Sequence, residues 1–268
     1  MRIESWSDKL LLIIGAVKCA LVAAFFISFG LIEPISANAE DNKACRGINL
    51  VEQLKSENPE AYNRILAEAK NELNGDHIFW KVEREGYPSS YLFGTMHMSD
   101  PRISNPSDAV KSAIAESDAL VIESIDALDP AATQKAVGQL GHLTLLSEGT
   151  LRDLVRDDIE DKLADAVSER GLPMMLANRM QPWLIATMVS TPVCEIERKQ
   201  SGEKILDAAL AEFAKEKGKK VLGLETVAEQ LGAMASLPQD YHVSALEETL
   251  AGGSLALDMI ETLKAVYL

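Results

Sequence analysis

Apolar residues recur every three or four positions along most of the chain, a spacing that predicts amphipathic helices. The first such segment, 49–73, contains Pro59, and two helices with a short break are expected there because proline is tolerated in a first helical turn. Segment 172–190 is apolar almost all round and predicts a buried helix pair broken near Pro182. Further helices are predicted over 106–116, 152–169, 203–217, 226–237 and 241–266, the last with a break at Gly252 and Gly253.

Runs of β-branched and aromatic residues predict the strands. Residues 77–85 alternate, the turn-forming stretch GYPSS follows, and 91–95 is again apolar, so an antiparallel hairpin is expected. Two further short strands are predicted at 118–124 and 219–225. Because helices separate these strands, the sequence predicts the α/β class, with a mixed central sheet flanked by helices and a helical insertion over about residues 130–215.

Three of the predicted strands end in residues that carry chemistry. His97 follows the hairpin, three residues after Gly94, and Glu123 and Glu225 end the other two strands. If the strands are parallel neighbours, these side chains converge, since ligands in open α/β sheets bind beyond the carboxyl ends of the strands. One histidine and two carboxylates suit a divalent metal ion or a general acid–base pair.

Each of these residues also has a purely structural explanation. A single histidine after a strand is commonly a turn residue or an exposed polar group, which is the alternative for His97. Glu225 precedes a predicted helix and favours the dipole at its amino end. Glu123 continues an apolar run in which burial is expected, so a structural explanation accounts for it less well.

The amino-terminal part of the chain has the pattern of an export signal. An apolar stretch covers 10–32, and the A-x-A motif that follows ends at Ala39. We expect residues 1–39 to be a signal peptide cleaved before Glu40, which places the mature chain in the periplasm or cell envelope. The alternative is an uncleaved inner-membrane anchor, in which case this segment is the chain's only contact with a membrane.

Two cysteines remain after such a cleavage, Cys45 and Cys194. In an oxidising compartment an even pair predicts one disulfide, here closing a loop of about 150 residues. Two buried free thiols are the alternative.

The charge balance narrows the classes of partner. The chain has 26 Lys and Arg against 41 Asp and Glu, a net charge of -15. Phosphate groups are bound by clustered cations, so this balance disfavours nucleic acid and anionic membrane surfaces. A small-molecule or peptide substrate is compatible with it.

Four segments together resemble the TraB/GumN family, which is related to the Tiki metalloproteases and more distantly to erythromycin-esterase-like and ChaN-like proteins. They are SYLFGTMHMSDPRI, ALVIES, QPWLIATMVSTPVCEIERKQSGEKILD and VLGLETVAEQLGAM, in the family's order. The resemblance covers nearly all of the mature chain. It implies that Gly94 to His97 is the family's first G-x-x-H motif, in which glycine permits a tight exit from the strand and the histidine is a metal ligand or catalytic group.

The same resemblance assigns other positions. Glu123 matches the acidic residue that ends the next strand, and Glu225 matches the glutamate of the family's G-L-E-T segment. Arg198 and Asp207 match polar positions whose role it does not assign. Cys194 stands where exported members often carry a cysteine, which favours the disulfide.

This sequence departs from the family at a second G-x-x-H motif. None of the glycines after Gly223 has a histidine three residues later, and His142 and His242 lie outside the pattern. We therefore expect a carboxyl-terminally truncated domain with an incomplete site, because losing a ligand weakens metal affinity steeply.

Three functions are compatible with these observations. The first is a metal-dependent, peptidase-like hydrolase, in which His97, Glu123 and Glu225 hold a divalent ion that activates water. The second is a non-catalytic envelope protein that binds haem or a peptide or assists a polysaccharide pathway. The third is a truncated, inactive gene product with an exposed sheet edge that favours self-association.

Overall fold

The computed structural model describes residue 45 and residues 47–268 of the chain. The expected signal peptide and its cleavage site between Ala39 and Glu40 lie outside the described residues. No helix in the described part combines the length and the apolar character needed to cross a membrane.

Helices dominate the described chain. In order the elements are α1 (Leu50–Glu57), α2 (Pro59–Ala69), β1 (Phe79–Val82), β2 (Ser90–Phe93), α3 (Pro101–Ser104), α4 (Asp108–Glu116), β3 (Ala119–Ile122), α5 (Pro130–Gln139), α6 (Gly141–Thr144), α7 (Glu160–Glu169), α8 (Met174–Ala177), α9 (Pro182–Ser190), α10 (Val193–Gln200), α11 (Leu206–Glu216), β4 (Lys220–Gly223), α12 (Val227–Ala235), α13 (Gln239–Gly252) and α14 (Leu255–Tyr267). The α/β class with flanking helices is confirmed.

One predicted helix begins later than its pattern indicated. The segment predicted at 152–169 opens with two single 3-10 turns, Leu151–Asp153 and Asp157–Ile159, and α7 follows them. Thr150 and Asp153 form a capping box around the first turn, and Arg156 is extended with ψ 147°. Because this extended residue interrupts the helical backbone, the regular helix is restricted to the carboxyl-terminal half of the segment.

The four strands found among the described residues form two small sheets. β1 and β2 pair antiparallel, with Phe79 opposite Phe93, which confirms the predicted hairpin. β3 and β4 pair parallel, with Ile122 opposite Gly223. In the described chain β2 therefore pairs with its hairpin partner and not with β3. A short turn suffices to join antiparallel strands, whereas parallel strands need a long crossover, here the helices between β3 and β4.

In the part of the chain that the structure describes, buried apolar side chains form two cores. The larger core brings together α7, α8, α9 and α13 and the turns around them; its residues are Leu146, Leu151, Val155, Ile159, Leu163, Val167, Leu172, Ala177, Met180, Ile185, Val189, Leu246 and Leu250. The smaller core joins α3, α4 and α11 to both sheets; its residues are Ile103, Val110, Ile114, Leu206, Leu210 and Ala214. The ends of the strands therefore rest on the smaller core.

The amino end of the described chain is tied to α10. Cys45 and Cys194 form a disulfide with their Cα atoms 5.4 Å apart, which confirms the predicted pair. Both residues are buried. The two cysteines are separated by 149 residues in sequence, so the bridge closes a long loop.

Gly47 and Ile48 lie against α14. A Cβ at Gly47 would overlap the carbonyl of Leu257, so only glycine allows this close approach. The N–H of Ile48 donates to Asp258 Oδ1 at 2.7 Å. The disulfide and these contacts therefore link α10 to α14 through a short stretch of chain.

Candidate functional site

His97 lies in the loop between β2 and α3. Before it, the N–H of Gly94 donates to the carbonyl of Ile78 at 2.7 Å, which continues the hairpin by one more pair. The hydroxyl of Tyr267 donates to the carbonyl of Gly94 at 2.8 Å. A Cβ at Gly94 would meet Ile78 at no closer than 3.7 Å, an ordinary contact, and the residue has no positive φ. Neither the space nor the backbone conformation at Gly94 therefore requires glycine, and the role of Gly94 as a motif residue stays a prediction.

The imidazole of His97 lies between two carboxylates from distant parts of the chain. Its Nδ1 is 2.7 Å from Asp207 Oδ2, and its Nε2 is 3.0 Å from Glu123 Oε2. Glu123 directly follows β3, and Asp207 is in the first turn of α11. Half of the His97 side chain is exposed. The site thus opens to solvent on one side and is held by protein on the other.

Asp207 is the residue whose role the sequence did not reveal. Its second oxygen, Oδ1, accepts a hydrogen bond from Thr95 Oγ1 at 3.1 Å, and only 10% of its side chain is exposed. It stands next to Leu206 in the buried stripe of α11, which also contains Leu210. An aspartate within an apolar stripe is costly to bury without hydrogen-bond partners. Its position in the stripe was therefore the one feature of the sequence that could have indicated a role for Asp207.

The two carboxylates change the protonation of the imidazole. The hydrogen bond to Asp207 is the main cause that raises the pKa of His97 to about 9; burial opposes it, and Glu123 adds to the rise. Burial pushes the pKa of Asp207 upward, but the hydrogen bond and charge of His97 outweigh this and hold it below its usual value. At neutral pH the site is therefore an imidazolium that donates to both carboxylates.

Glu225 lies at the same edge but is not bonded to His97. Its backbone N–H donates to the carbonyl of Glu123 at 3.0 Å, so the two residues are neighbours. Its carboxylate accepts from Gln230 Nε2 at 3.0 Å. A capping box between Thr226 and Glu229 begins α12 immediately afterwards. The structure thus brings together two of the three predicted site residues, and a ligand role for Glu225 stays a prediction.

The side chains around His97 meet the requirements of a divalent metal ion in part. Nε2 of His97 and the carboxylate of Glu123 face each other, and Asp207 holds Nδ1 as carboxylates do beside ligating histidines. Catalytic metal sites commonly use three protein ligands. Within residues 45 and 47–268, no group of three or more His, Cys, Asp or Glu side chains is arranged to hold a metal ion. His97 and Glu123 therefore fit two metal-ligand positions, and Asp207 fits the position of a carboxylate that supports a ligating histidine.

Charge at His97 predicts a pH dependence of stability. Its pKa is raised from 6.5 in the unfolded chain to about 9, so its contribution is complete below about pH 6.5 and is lost as the pH rises through about 9. We expect the wild type to lose about 1 kcal/mol of unfolding free energy over this range, a modest value because solvent screens a half-exposed pair. Urea unfolding in a chelating buffer, repeated across this pH range, measures the loss of unfolding free energy. The same slope in His97→Gln would contradict the prediction.

The residues that follow His97 belong to a network of buried charged side chains. Glu195 on α10 accepts from the N–H and the hydroxyl of Ser99 at 2.9 and 2.6 Å, and Arg198 donates to its other oxygen at 3.0 Å. Asp100 accepts from Lys264 Nζ at 3.0 Å. The network therefore fastens the residues that follow His97 to α10 and α14. The position of Arg198, whose role the family resemblance did not assign, is in this network and not against the imidazole of His97.

Comparison with known protein families gives one match. Residues 78–268, more than half of the chain, match the model described as the TraB/PrgY/gumN family. The matched range includes His97, Glu123, Asp207 and Glu225. No curated protein and no solved structure matches the chain.

Proposed function

The chain belongs to the TraB/PrgY/gumN family, and from this premise we propose that it is an exported, divalent-metal-dependent hydrolase with peptidase-like activity. The observation that carries the proposal is the half-exposed imidazole of His97 between Asp207 and Glu123. Three separate segments of the chain supply these groups. The site opens to solvent, which gives a substrate access to it.

His97, Glu123 and Asp207 have different roles toward the ion. Nε2 of His97 and the carboxylate of Glu123 would hold the ion, and Asp207, which accepts from Nδ1, would orient the ring and raise its basicity as a ligand. A bound divalent ion lowers the pKa of a water ligand and so supplies a nucleophile at neutral pH. Because the imidazolium donates from Nε2 to Glu123, His97 would have to release this proton to hold an ion.

Export is supported by the bridge between Cys45 and Cys194. Disulfides persist in oxidising compartments such as the periplasm and are rare where thiols are kept reduced. We propose that residues 1–39 direct the chain there.

Ion binding is the first test of the proposed function. We expect the purified chain to bind Zn²⁺ or Mn²⁺ in isothermal titration calorimetry and to cleave a mixed peptide substrate only with the ion present. His97→Ala and Glu123→Gln remove direct ligands and should abolish both. Asp207→Asn should weaken ion binding by about 10–100-fold, the usual effect of losing a supporting partner.

The matched control is His142→Ala, which removes a histidine from α6. It should leave ion affinity and cleavage unchanged. Equal ion affinity in His97→Ala and the wild type would refute the assignment of the ligand.

A second candidate function is favoured by one observation. Both ring nitrogens of His97 are bonded to carboxylates, so the three side chains satisfy one another as a structural ion triad. A folded wild type that binds neither ion and cleaves no peptide, but does bind haem or a peptide, would favour this second function, a non-catalytic envelope protein that binds a ligand.

A further inference from the structure

We infer that Glu195 is a positioning residue, which holds the His97 imidazole between Asp207 and Glu123 through its two hydrogen bonds to Ser99. The inference deepens the proposed function, since it assigns a residue that supports the same site from α10. Glu195 touches neither the imidazole nor the open side of the site, so its effect passes through the backbone of the loop.

Glu195 is built into the protein interior as an acceptor for this loop. It is 3% exposed, and Ser99 is fully buried. Oε2 accepts both the N–H and the hydroxyl of Ser99, while Oε1 accepts from Arg198. A buried carboxylate is stable only when its oxygens are paired, and here two of the three donors come from one residue of another segment.

Ser99 is close enough to His97 in sequence to control its backbone. The N–H of Met98 donates to the carbonyl of Met96 at 2.7 Å, so His97 is the central residue of a three-residue turn. Ser99 follows this turn directly. Together, the turn and the bonds of Ser99 restrict the direction in which the His97 side chain leaves the backbone.

The two bonds of the imidazole depend on that direction. They are 2.7 and 3.0 Å long, and both acceptors are mounted on other elements, Asp207 on α11 and Glu123 after β3. A shift of about 1 Å in the loop would lengthen them beyond hydrogen-bonding distance, and errors of this size are costly in active sites. Thr95 ties the start of the loop to Asp207. Glu195 holds the loop on the other side of His97, through Ser99.

The test compares Glu195→Gln with Glu247→Gln in the full chain. A glutamine at 195 cannot accept from Ser99 and from Arg198 at once. Glu247 is the matched control, because it is a largely buried glutamate that also accepts a backbone N–H, that of Arg156 at 2.7 Å, beside the larger core.

The main readout is the ¹⁵N signals of the His97 ring in the ion-free protein at one pH, assigned with His97→Gln. Glu195→Gln should move them toward the values of a free imidazole, and Glu247→Gln should leave them unchanged. The affinity for Zn²⁺ should fall about tenfold in Glu195→Gln only, as expected for a lost supporting contact.

A milder variant covers the case in which Glu195→Gln does not fold. Ser99→Ala removes one of the two bonds and keeps the backbone N–H to Glu195, so it should shift the same signals by a smaller amount. Unchanged His97 signals in the folded variants would overturn the inference. Since the signals are measured without an ion, this result is distinct from a wild type that binds no ion, which would overturn the proposed function alone.

Discussion

The double variant Cys45→Ser, Cys194→Ser should lose about 5 kcal/mol of unfolding free energy. The bridge closes a loop with a sequence separation of 149 residues. In the chain-entropy account, closing a loop of this size restricts the unfolded chain enough to stabilise the fold by about 5 kcal/mol at 25 °C. Native domains have a total stability of only about 5–15 kcal/mol, so this one bond decides whether much of the chain stays folded.

Urea unfolding followed by circular dichroism measures this loss. The wild type is compared with and without a reducing agent, and the double variant should match the reduced wild type. The reducing agent should have no effect on the double variant, which serves as the control. If the reduced and oxidised wild type unfold at the same urea concentration, the bridge does not contribute as proposed.

Lys264→Met should cost about 3 kcal/mol, the second large effect. Lys264 is 1% exposed and Asp100 is 2% exposed, and their charged atoms are 3.0 Å apart. Removing one partner of a buried pair leaves the other charge uncompensated, which typically costs about 3–5 kcal/mol. We expect the lower end of this range for Lys264→Met because Asp100 keeps its ion pairs with Arg102 and Arg198.

A double-mutant cycle separates the pair from simple loss of packing. Asp100→Asn combined with Lys264→Met should be more stable than the sum of the two single losses predicts, because no unpaired charge remains. Lys204→Met, which breaks the exposed pair with Glu212, is the control and should cost less than about 1 kcal/mol. Additive losses in the cycle would show that Lys264 and Asp100 act independently.

Local features of the fold were predictable from the sequence. Pro59 restricts its own backbone, and Gly253 adopts a φ of 51° at the break between α13 and α14, so both interruptions could be located from single residues. The hairpin was also predictable, because its two strands are close in sequence. The pairing of β3 with β4 joins segments about 100 residues apart, and no local pattern determines such a partner.

The site illustrates the same limit. His97 and Glu123 were predicted because each follows a strand, and the structure brings their side chains together. Asp207 and Glu225 are both acids beside a helix start, yet the structure bonds Asp207 to the imidazole and Glu225 to Gln230. The choice depends on how α11 packs against β3 and β4 and on how α12 packs against α5 and α6. Many contacts decide this packing, and the type of residue at 207 or 225 does not.

The division of the interior into two cores separates the loss of the site from the loss of the fold. The larger core has thirteen buried residues and the smaller core six, and the elements that carry His97, Glu123 and Asp207 rest on the smaller one. Regions with fewer buried contacts open at lower free energy, as cooperative units of their own. A sub-global opening can therefore dismantle the site while the larger helical unit persists. Inactivation and global unfolding are then different transitions of the same chain.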